Sequence, residues 1–400
     1  MSAGYRPVPA VVGVIGAGVV SHAYLGTIHR SPELRLKAVA SRTRTSAERQ
    51  TRLYGGEAVS VEALLADPEI DIVVNLAPPS LHHRLGRAIL DAGKHLYGEK
   101  PFATTLEDAS DLLALADRQG LRIGCAPDTF LGAAHQTARR ILDAGDIGAV
   151  IGGAAIMASR GMEHWHPNPA FFYSRGGGPI LDIGPYVLTQ LVNLLGPVAQ
   201  VAALGSTPRR ERIVTHPDRA GQTIAVETPT TVNAALLFEN GANVALTLSW
   251  DVWAHRRPPI ELYGAAGSLA NPDPNGFEGA VCVTTEDGPW QSVGEVPEIA
   301  KTSLTAETMI AAMRAVEAGI DPRTGRPIDP ASGPLFGDLR GLGLIDLARA
   351  LREDRAPRAC GRLAFHVLET LLALESCAED GGSRLIASRV ARPAPLTETA

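Results

Sequence analysis

Over the first 126 residues, short apolar runs alternate with segments of helical period. Val11-Val12-Gly13-Val14-Ile15 reads as a buried parallel strand, and a helical pattern runs from the following turn through Arg30. Leu34 to Ala40 is the next strand and Ile70 to Leu76 the third, with Pro78-Pro79 shaping a loop at its end. A helix to Ala92 closes on Gly93, and a strand follows at His95 to Gly98. A helix over Leu106 to Gln119 and a strand over Arg122 to Ala126 extend the pattern. Alternating β and α units of this kind predict an α/β class fold, with a doubly wound parallel sheet of the Rossmann type in the N-terminal part.

Beyond this the pattern changes to strands without intervening helices. Val232 to Phe238 and Ala242 to Trp250 flank Glu239-Asn240-Gly241, a hairpin signal with Asn-Gly at its turn. Ile260 to Tyr263 and Val281 to Thr284 add strand-like runs between Gly-, Pro- and Asp-rich turns. Late helices are predicted at Leu339 to Arg352 and Leu363 to Cys377, and a loose tail at Ser388 to Ala400. The change of pattern predicts two domains, residues 1–128 and 129–400.

Composition narrows the classes. With 400 residues and 45% apolar content the chain can bury a large core. A net charge of –6 and a pI near 6.0 provide no basic field for nucleic acid. No apolar run is long enough to span a bilayer, and Met1 to Val11 lacks the pattern of an export signal. Cysteines 125, 282, 360 and 377 form no CxxC pair. The expectation is a soluble, cytoplasmic protein with a small-molecule substrate and no nucleic-acid or membrane partner.

The first strand runs into Gly16-Ala17-Gly18-Val19-Val20-Ser21. Gly16 permits the tight turn, and Gly18 lets backbone approach a pyrophosphate at the helix N-terminus. Ser21 takes the third glycine position of the dinucleotide fingerprint, a small residue that still allows close packing. The second strand ends in Ser41-Arg42-Thr43-Arg44, where an NAD site would place an acidic residue. A hydroxyl and a guanidinium suit a 2′-phosphate instead, so NADP is favoured over NAD, an ordinary basic loop being the other reading. The chain has 37 basic residues but only four lysines, at 37, 94, 100 and 301. Lys100, between Glu99 and Pro101, therefore stands out as a residue kept for its amine, which can lose a proton when desolvated.

Gly16-x-Gly18, Pro78-Pro79-x-x-His82, Gly93-Lys94-His95 and Glu99-Lys100-Pro101 occur in the order and at the spacing of one family. Asp143-x-Gly145-x-Ile147-Gly148 and Gly176-Gly177-Gly178-x-x-x-Asp182-x-Gly184 continue it. Over residues 11 to 190 the chain resembles the Gfo/Idh/MocA oxidoreductases, the family of glucose–fructose oxidoreductase and inositol dehydrogenase. The resemblance implies a C-terminal α+β domain with a large, open, mostly antiparallel sheet, whose faces commonly pack between subunits as a homodimer or homotetramer. It implies NADP or NAD as cofactor, held by Gly16, Ala17, Gly18, Val19, Val20, Ser41, Arg42, Leu76, Pro78, His82, Glu99 and Lys100. It also implies that Lys100 works beside the nicotinamide and a substrate hydroxyl, with Asp182 and a residue four positions further on.

The family has His at that last position, and this chain has Tyr186. A spacing of four places Asp182 and Tyr186 on one helix face. Alcohol oxidation needs a base for the hydroxyl proton and ketone reduction an acid, so Lys100 and Tyr186 are read as a proton relay with Asp182 orienting. Tyr186 as a core aromatic is the competing reading. Upstream, Glu163-His164-Trp165-His166 offers a Trp to stack on a sugar ring and two imidazoles, and no metal is expected there. The activity implied is hydride transfer between nicotinamide and a secondary alcohol or ketone of a sugar, sugar derivative or inositol. A redox-neutral glycoside-cleaving or eliminating enzyme and a non-catalytic dinucleotide sensor are the alternatives.

Overall fold

The computed structural model describes residues 9–286, 288–294 and 305–396. Two compact units emerge. One comprises the described residues up to Asp128 with Ala311–Phe365, and the other Thr129–Ile310 with the described residues from His366 on. Residues 311–365, expected in the C-terminal domain, thus join the first unit.

In the first unit β1 (Ala10–Ile15) is buried at every position, as its β-branched run requires. It is followed by α1 (Ser21–Arg30), β2 (Leu34–Ala40), α2 (Arg44–Tyr54), β3 (Glu57–Val59) and α3 (Val61–Ala66). Then come β4 (Ile72–Asn75), α4 (His82–Asp91), β5 (His95–Gly98), α5 (Leu106–Gln119) and β6 (Ile123–Cys125). The six strands are all parallel, in the order β3-β2-β1-β4-β5-β6. The run expected as the third strand is therefore the fourth. Glu57–Val59 has only three residues and no apolar run to announce it.

The second unit begins with α6 (Ala133–Ala144), β7 (Val150–Ala158), α7 (Ala170–Tyr173), α8 (Gly178–Asp182) and α9 (Gly184–Leu195). Strands β8 (Val198–Ser206), β9 (Glu211–Ile213), β10 (Thr223–Ala225), β11 (Thr231–Phe238) and β12 (Asn243–Ser249) come next. They are followed by β13 (Ile260–Gly264), β14 (Gly267–Asn271), β15 (Val281–Thr285) and β16 (Gln291–Val293). Further along the chain lie α10 (Ala306–Glu317), β17 (Ile320–Asp321), β18 (Arg326–Pro327), α11 (Leu342–Arg352), α12 (Gly361–Asp380) and β19 (Gly382–Leu385). The main sheet has nine strands in the order β16-β15-β14-β13-β7-β12-β11-β8-β19, antiparallel except where β12 meets β7. The hairpin between β11 and β12 turns at Gly241, whose φ of 89° is the left-handed conformation that Asn-Gly announced.

Helix α11 explains why residues 311–365 join the first unit. Its Leu344, Leu347 and Ala348 share one buried cluster with Val12, Val14, Tyr24 and Tyr97. The tail is not loose as far as it is described. Arg139 donates to the Pro393 carbonyl at 2.8 Å, and the Leu396 amide donates to Gln136 at 2.8 Å. Residues 397–400 lie outside the described residues. Among the described residues no helix is long and apolar enough to cross a membrane.

Candidate functional site

The carboxyl ends of β1, β2 and β4 border a groove of about 850 Å³ in the first unit. Gly16, Ala17 and Gly18 form one wall, Ser41, Arg42 and Thr43 another, and Leu76, Ala77 and Pro78 a third. Gly16 has φ 115°, and a Cβ there would lie 2.7 Å from the Leu76 carbonyl oxygen. A Cβ on Gly18 would meet nothing within 4 Å, so at Gly18 the backbone itself faces open space. Ser21 does more than allow close packing. It is fully buried, and its hydroxyl donates to the Gly18 carbonyl at 2.6 Å, closing the turn that starts α1. A glycine turn at the end of a central strand, leading into a helix N-terminus, suits a pyrophosphate.

Sequence reading missed Ser46, Arg49 and Arg84 in this lining. Thr43 caps α2, its hydroxyl 2.7 Å from that of Ser46. Arg49 donates one Nη1 bond to the Glu317 carbonyl at 3.3 Å, while its buried Nε has no partner among the described residues. Two α2 positions, 46 and 49, thus face the same groove as Arg42, an i, i+3 relation that no single motif announces. Val19 and Val20 lie outside the lining, and Val20 packs against the core.

Two residues expected to contact the cofactor also brace the fold. His82 is buried, with its ring nitrogens 2.6 Å from the Pro101 carbonyl and 2.8 Å from the Ala77 carbonyl. Glu99 accepts the Tyr24 hydroxyl at 2.8 Å on one oxygen and the Lys100 amide at 2.9 Å on the other. Lys100 itself is half-buried just past β5, before a cis peptide bond to Pro101. The other described lysines hold structure: Lys94 donates to the Asp67 carbonyl at 2.6 Å, and Lys37 pairs with Glu69 at 3.4 Å.

In the second unit Asp182 and Tyr186 do not share one continuous helix. Asp182 ends α8, Tyr186 lies in the first turn of α9, and Ile183 joins them. Pro185 is the cause, since it has no N–H to donate to the carbonyl of Leu181. Asp182 is half-buried and Tyr186 is buried. The loop before them is anchored by Glu163, which was not among the expected site residues. Buried Glu163 accepts the Tyr173 hydroxyl and pairs at 3.1 Å with buried Arg212, which also pairs with Asp251 at 2.6 Å. Arg212 lies far along the sequence in a hairpin, so no spacing announced it.

The two loop histidines differ. His164 is tied at 2.8 Å to Thr215 Oγ1 and lies against Trp253. Trp165 packs on the cluster around Trp250. His166 meets Phe172 edge-on, 4.7 Å between ring centres. Burial pushes its titration down from 6.5, and the charge of Asp182 opposes that shift. Of the two imidazoles, His166 is the one in the field of Asp182. A hollow of about 320 Å³ next to this loop is lined by Ser174, Arg219, Gln222 and Glu227. Among the described residues no three His, Cys, Asp or Glu side chains gather as a metal site would need.

The sheet order, the glycine turn and the groove define the first unit as a dinucleotide-binding domain, here joined to an α+β domain with an open sheet. Residues 11–126 match the oxidoreductase family with an NAD-binding Rossmann fold, and residues 135–270 match the GFO/IDH/MocA C-terminal domain. The chain belongs to the Gfo/Idh/MocA family of oxidoreductases. It is 28% identical over 363 residues to dTDP-3,4-didehydro-2,6-dideoxy-alpha-D-glucose 3-reductase of Saccharopolyspora spinosa, covering 88% of this chain and 98% of that one. Its fold is that of an NAD binding oxidoreductase from Klebsiella pneumoniae, with TM-score 0.76, 22% identity and coverage of 95% and 99%. Levoglucosan dehydrogenase in complex with NADH and L-sorbose also shares the fold, with TM-score 0.75, 20% identity and coverage of 96% and 100%.

Proposed function

We propose that this enzyme transfers a hydride between NADP(H) and a secondary alcohol or ketone carbon of a sugar or sugar derivative. The observation that carries the reading is the groove at the ends of β1, β2 and β4, with Gly18 open to it and Arg42, Ser46 and Arg49 along it. The preference for NADP follows from the charge of that lining. Among the described residues it holds arginines and hydroxyls but no carboxylate. A 2′-phosphate supplies acceptors for such groups, whereas a bare 2′-hydroxyl leaves them poorly matched.

When bound, the nicotinamide supplies or takes the hydride. In the oxidation direction Lys100 takes the proton of the substrate hydroxyl, with Tyr186 as its relay, and in reduction Lys100 returns it. Asp182 orients the sugar, and His166 and Trp165 supply polar and stacking contacts to it. The name of the Saccharopolyspora relative makes dTDP-linked deoxy-ketosugars the first substrates to try. The subunits are proposed to associate through the open sheet, as a dimer or tetramer.

The test is absorbance at the reduced-nicotinamide band, with NADP and NAD compared across dTDP-sugars, free hexoses, anhydrosugars and inositols. Turnover that vanishes in Lys100→Met and is faster with NADP supports the reading. Product formed without net change in NADPH would point to redox-neutral chemistry, and tight nucleotide binding without any product to a sensor.

A further inference from the structure

We propose that Tyr24 is a positioning residue for the reacting lysine, acting from the nucleotide-binding helix through the carboxylate of Glu99. This rests on the role given to Lys100 above. Tyr24 is completely buried in α1, one turn beyond the Gly18 turn. Its hydroxyl donates to Glu99 Oε1 at 2.8 Å, and Glu99 Oε2 accepts the main-chain N–H of Lys100 at 2.9 Å. One carboxylate therefore ties the pyrophosphate helix to the backbone of the residue that carries the amine. The same segment is held from its other side, where the His82 ring lies 2.6 Å from the Pro101 carbonyl.

The site of the bond matters more than its strength. Lys100 lies two residues past the end of β5, one beyond the Glu99 amide that still bonds the Asn75 carbonyl at 3.0 Å, and its own backbone gains a constraint from outside the ladder. A side-chain bond to its amide supplies that constraint. An error of 1 Å in a reacting group can cost about 10²-fold in rate. Burial, and then the charge of Glu99, raise the Tyr24 hydroxyl well above its usual value of 10, so it remains a donor across the working range. The ring of Tyr97 meets that of Tyr24 edge-on at 6.0 Å and fixes its plane. Phe in place of Tyr24 keeps this packing and removes only the donor.

The experiment compares wild type, Tyr24→Phe, Glu99→Gln and the double variant, with Lys100→Met as reference. Tyr24→Phe is expected to lower kcat about 10-fold or more, with NADPH affinity within about 2-fold and a modest fall in the unfolding midpoint that leaves the enzyme folded at the assay temperature. The double variant is expected to be no slower than the slower single, because both remove one link. Independent effects that multiply, or full kcat in Tyr24→Phe, would overturn the proposal. Activity retained in Lys100→Met would instead defeat the reading it rests on. A second measurement needs no substrate: the pH-dependent rate of Lys100 acylation, read by peptide mapping. That rate is expected to change several-fold in Tyr24→Phe while labelling of Lys37 stays constant. Equal rates at Lys100 would overturn the proposal.

Discussion

The Tyr97 hydroxyl donates to Oδ2 of Asp128 at 3.0 Å, and the same oxygen accepts the amides of Gly341 and Gly343, each at 2.8 Å. Asp128 is wholly buried, and burial raises its carboxyl above the usual range against the pull of those three donors. A single oxygen thus joins the end of the Rossmann segment to the start of α11. Asp128→Ala is expected to strand a hydroxyl and two amides and to cost about 3 kcal/mol or more in urea unfolding. Asp128→Asn, which keeps an acceptor, should cost clearly less. Gly343→Ala should also destabilise, since its Cβ would lie 2.5 Å from the Tyr97 hydroxyl oxygen. Equal losses for Ala and Asn at position 128 would show that the acceptor is not what matters.

The groove predicts a cofactor switch. Arg42 is exposed at its edge and Arg49 lies half-buried within it. Arg42→Asp is expected to lower kcat/KM for NADP about 10-fold to 100-fold while sparing or improving NAD, because a carboxylate repels a phosphate and accepts from a ribose hydroxyl. Arg49→Met should weaken NADP alone. The ratio of kcat/KM for the two nucleotides is the measurement, and a ratio unmoved by both changes would remove the case for a 2′-phosphate.

Acid stability should depend on His22. Its ring contacts Tyr54 at 2.9 Å and Gln50 at 3.1 Å inside the first unit, and burial, with Arg49 nearby, lowers its pKa from 6.5 to about 4. The neutral ring is the folded form, so the unfolded chain binds the proton first as pH falls. The stabilisation is complete above 6.5 and is lost between 6.5 and about 4. Taken over that whole interval it amounts to about 3 kcal/mol. His135 and His366 are lowered by burial too and share the trend. Urea midpoints from pH 7.5 to 4.5 should therefore fall less steeply in His22→Gln than in wild type. Parallel curves would mean that His22 does not carry this dependence.

How much of this was legible depended on how local the signal was. Leu106–Gln119 could be bounded from sequence because Thr105 caps it, Glu107 and Asp108 fill its first turn, and Gly120 ends it at φ 68°. The glycine turn and the Asn-Gly hairpin were equally local. Two kinds of information were not. The return of α11 to the first unit is decided by which distant core its leucines enter, and the apolar pattern of a helix does not name its partner. The roles of His82 and Glu99 were assigned from motif position, but their partners, Ala77, Pro101 and Tyr24, come from elsewhere in the fold. Arg212 was invisible for the same reason. A family motif marks where chemistry gathers, and only three-dimensional contacts separate the residues that react from those that hold them.

Position 186, where the resemblance implies His and this chain has Tyr, leaves one question that a pair of variants can decide. Tyr186 is only 7% exposed, so Tyr186→Phe preserves nearly all of its packing and isolates the hydroxyl. If that hydroxyl relays the proton, kcat should fall by about 10²-fold or more, with a changed pH profile and little change in KM. If the ring is merely core, Phe is silent. His166 is the natural competitor, because its ring lies in the field of Asp182, even though burial lowers its titration below 6.5 on balance. If His166 contacts the substrate without moving its proton, as proposed, His166→Ala is expected to raise KM for the sugar and leave kcat within about 10-fold. The reverse outcome, an active Tyr186→Phe and an inactive His166→Ala, would transfer the relay to the loop and make Tyr186 a packing residue. Lys100→Met serves as the floor for both, since neither variant can be slower than the loss of the amine itself if all three act on one proton.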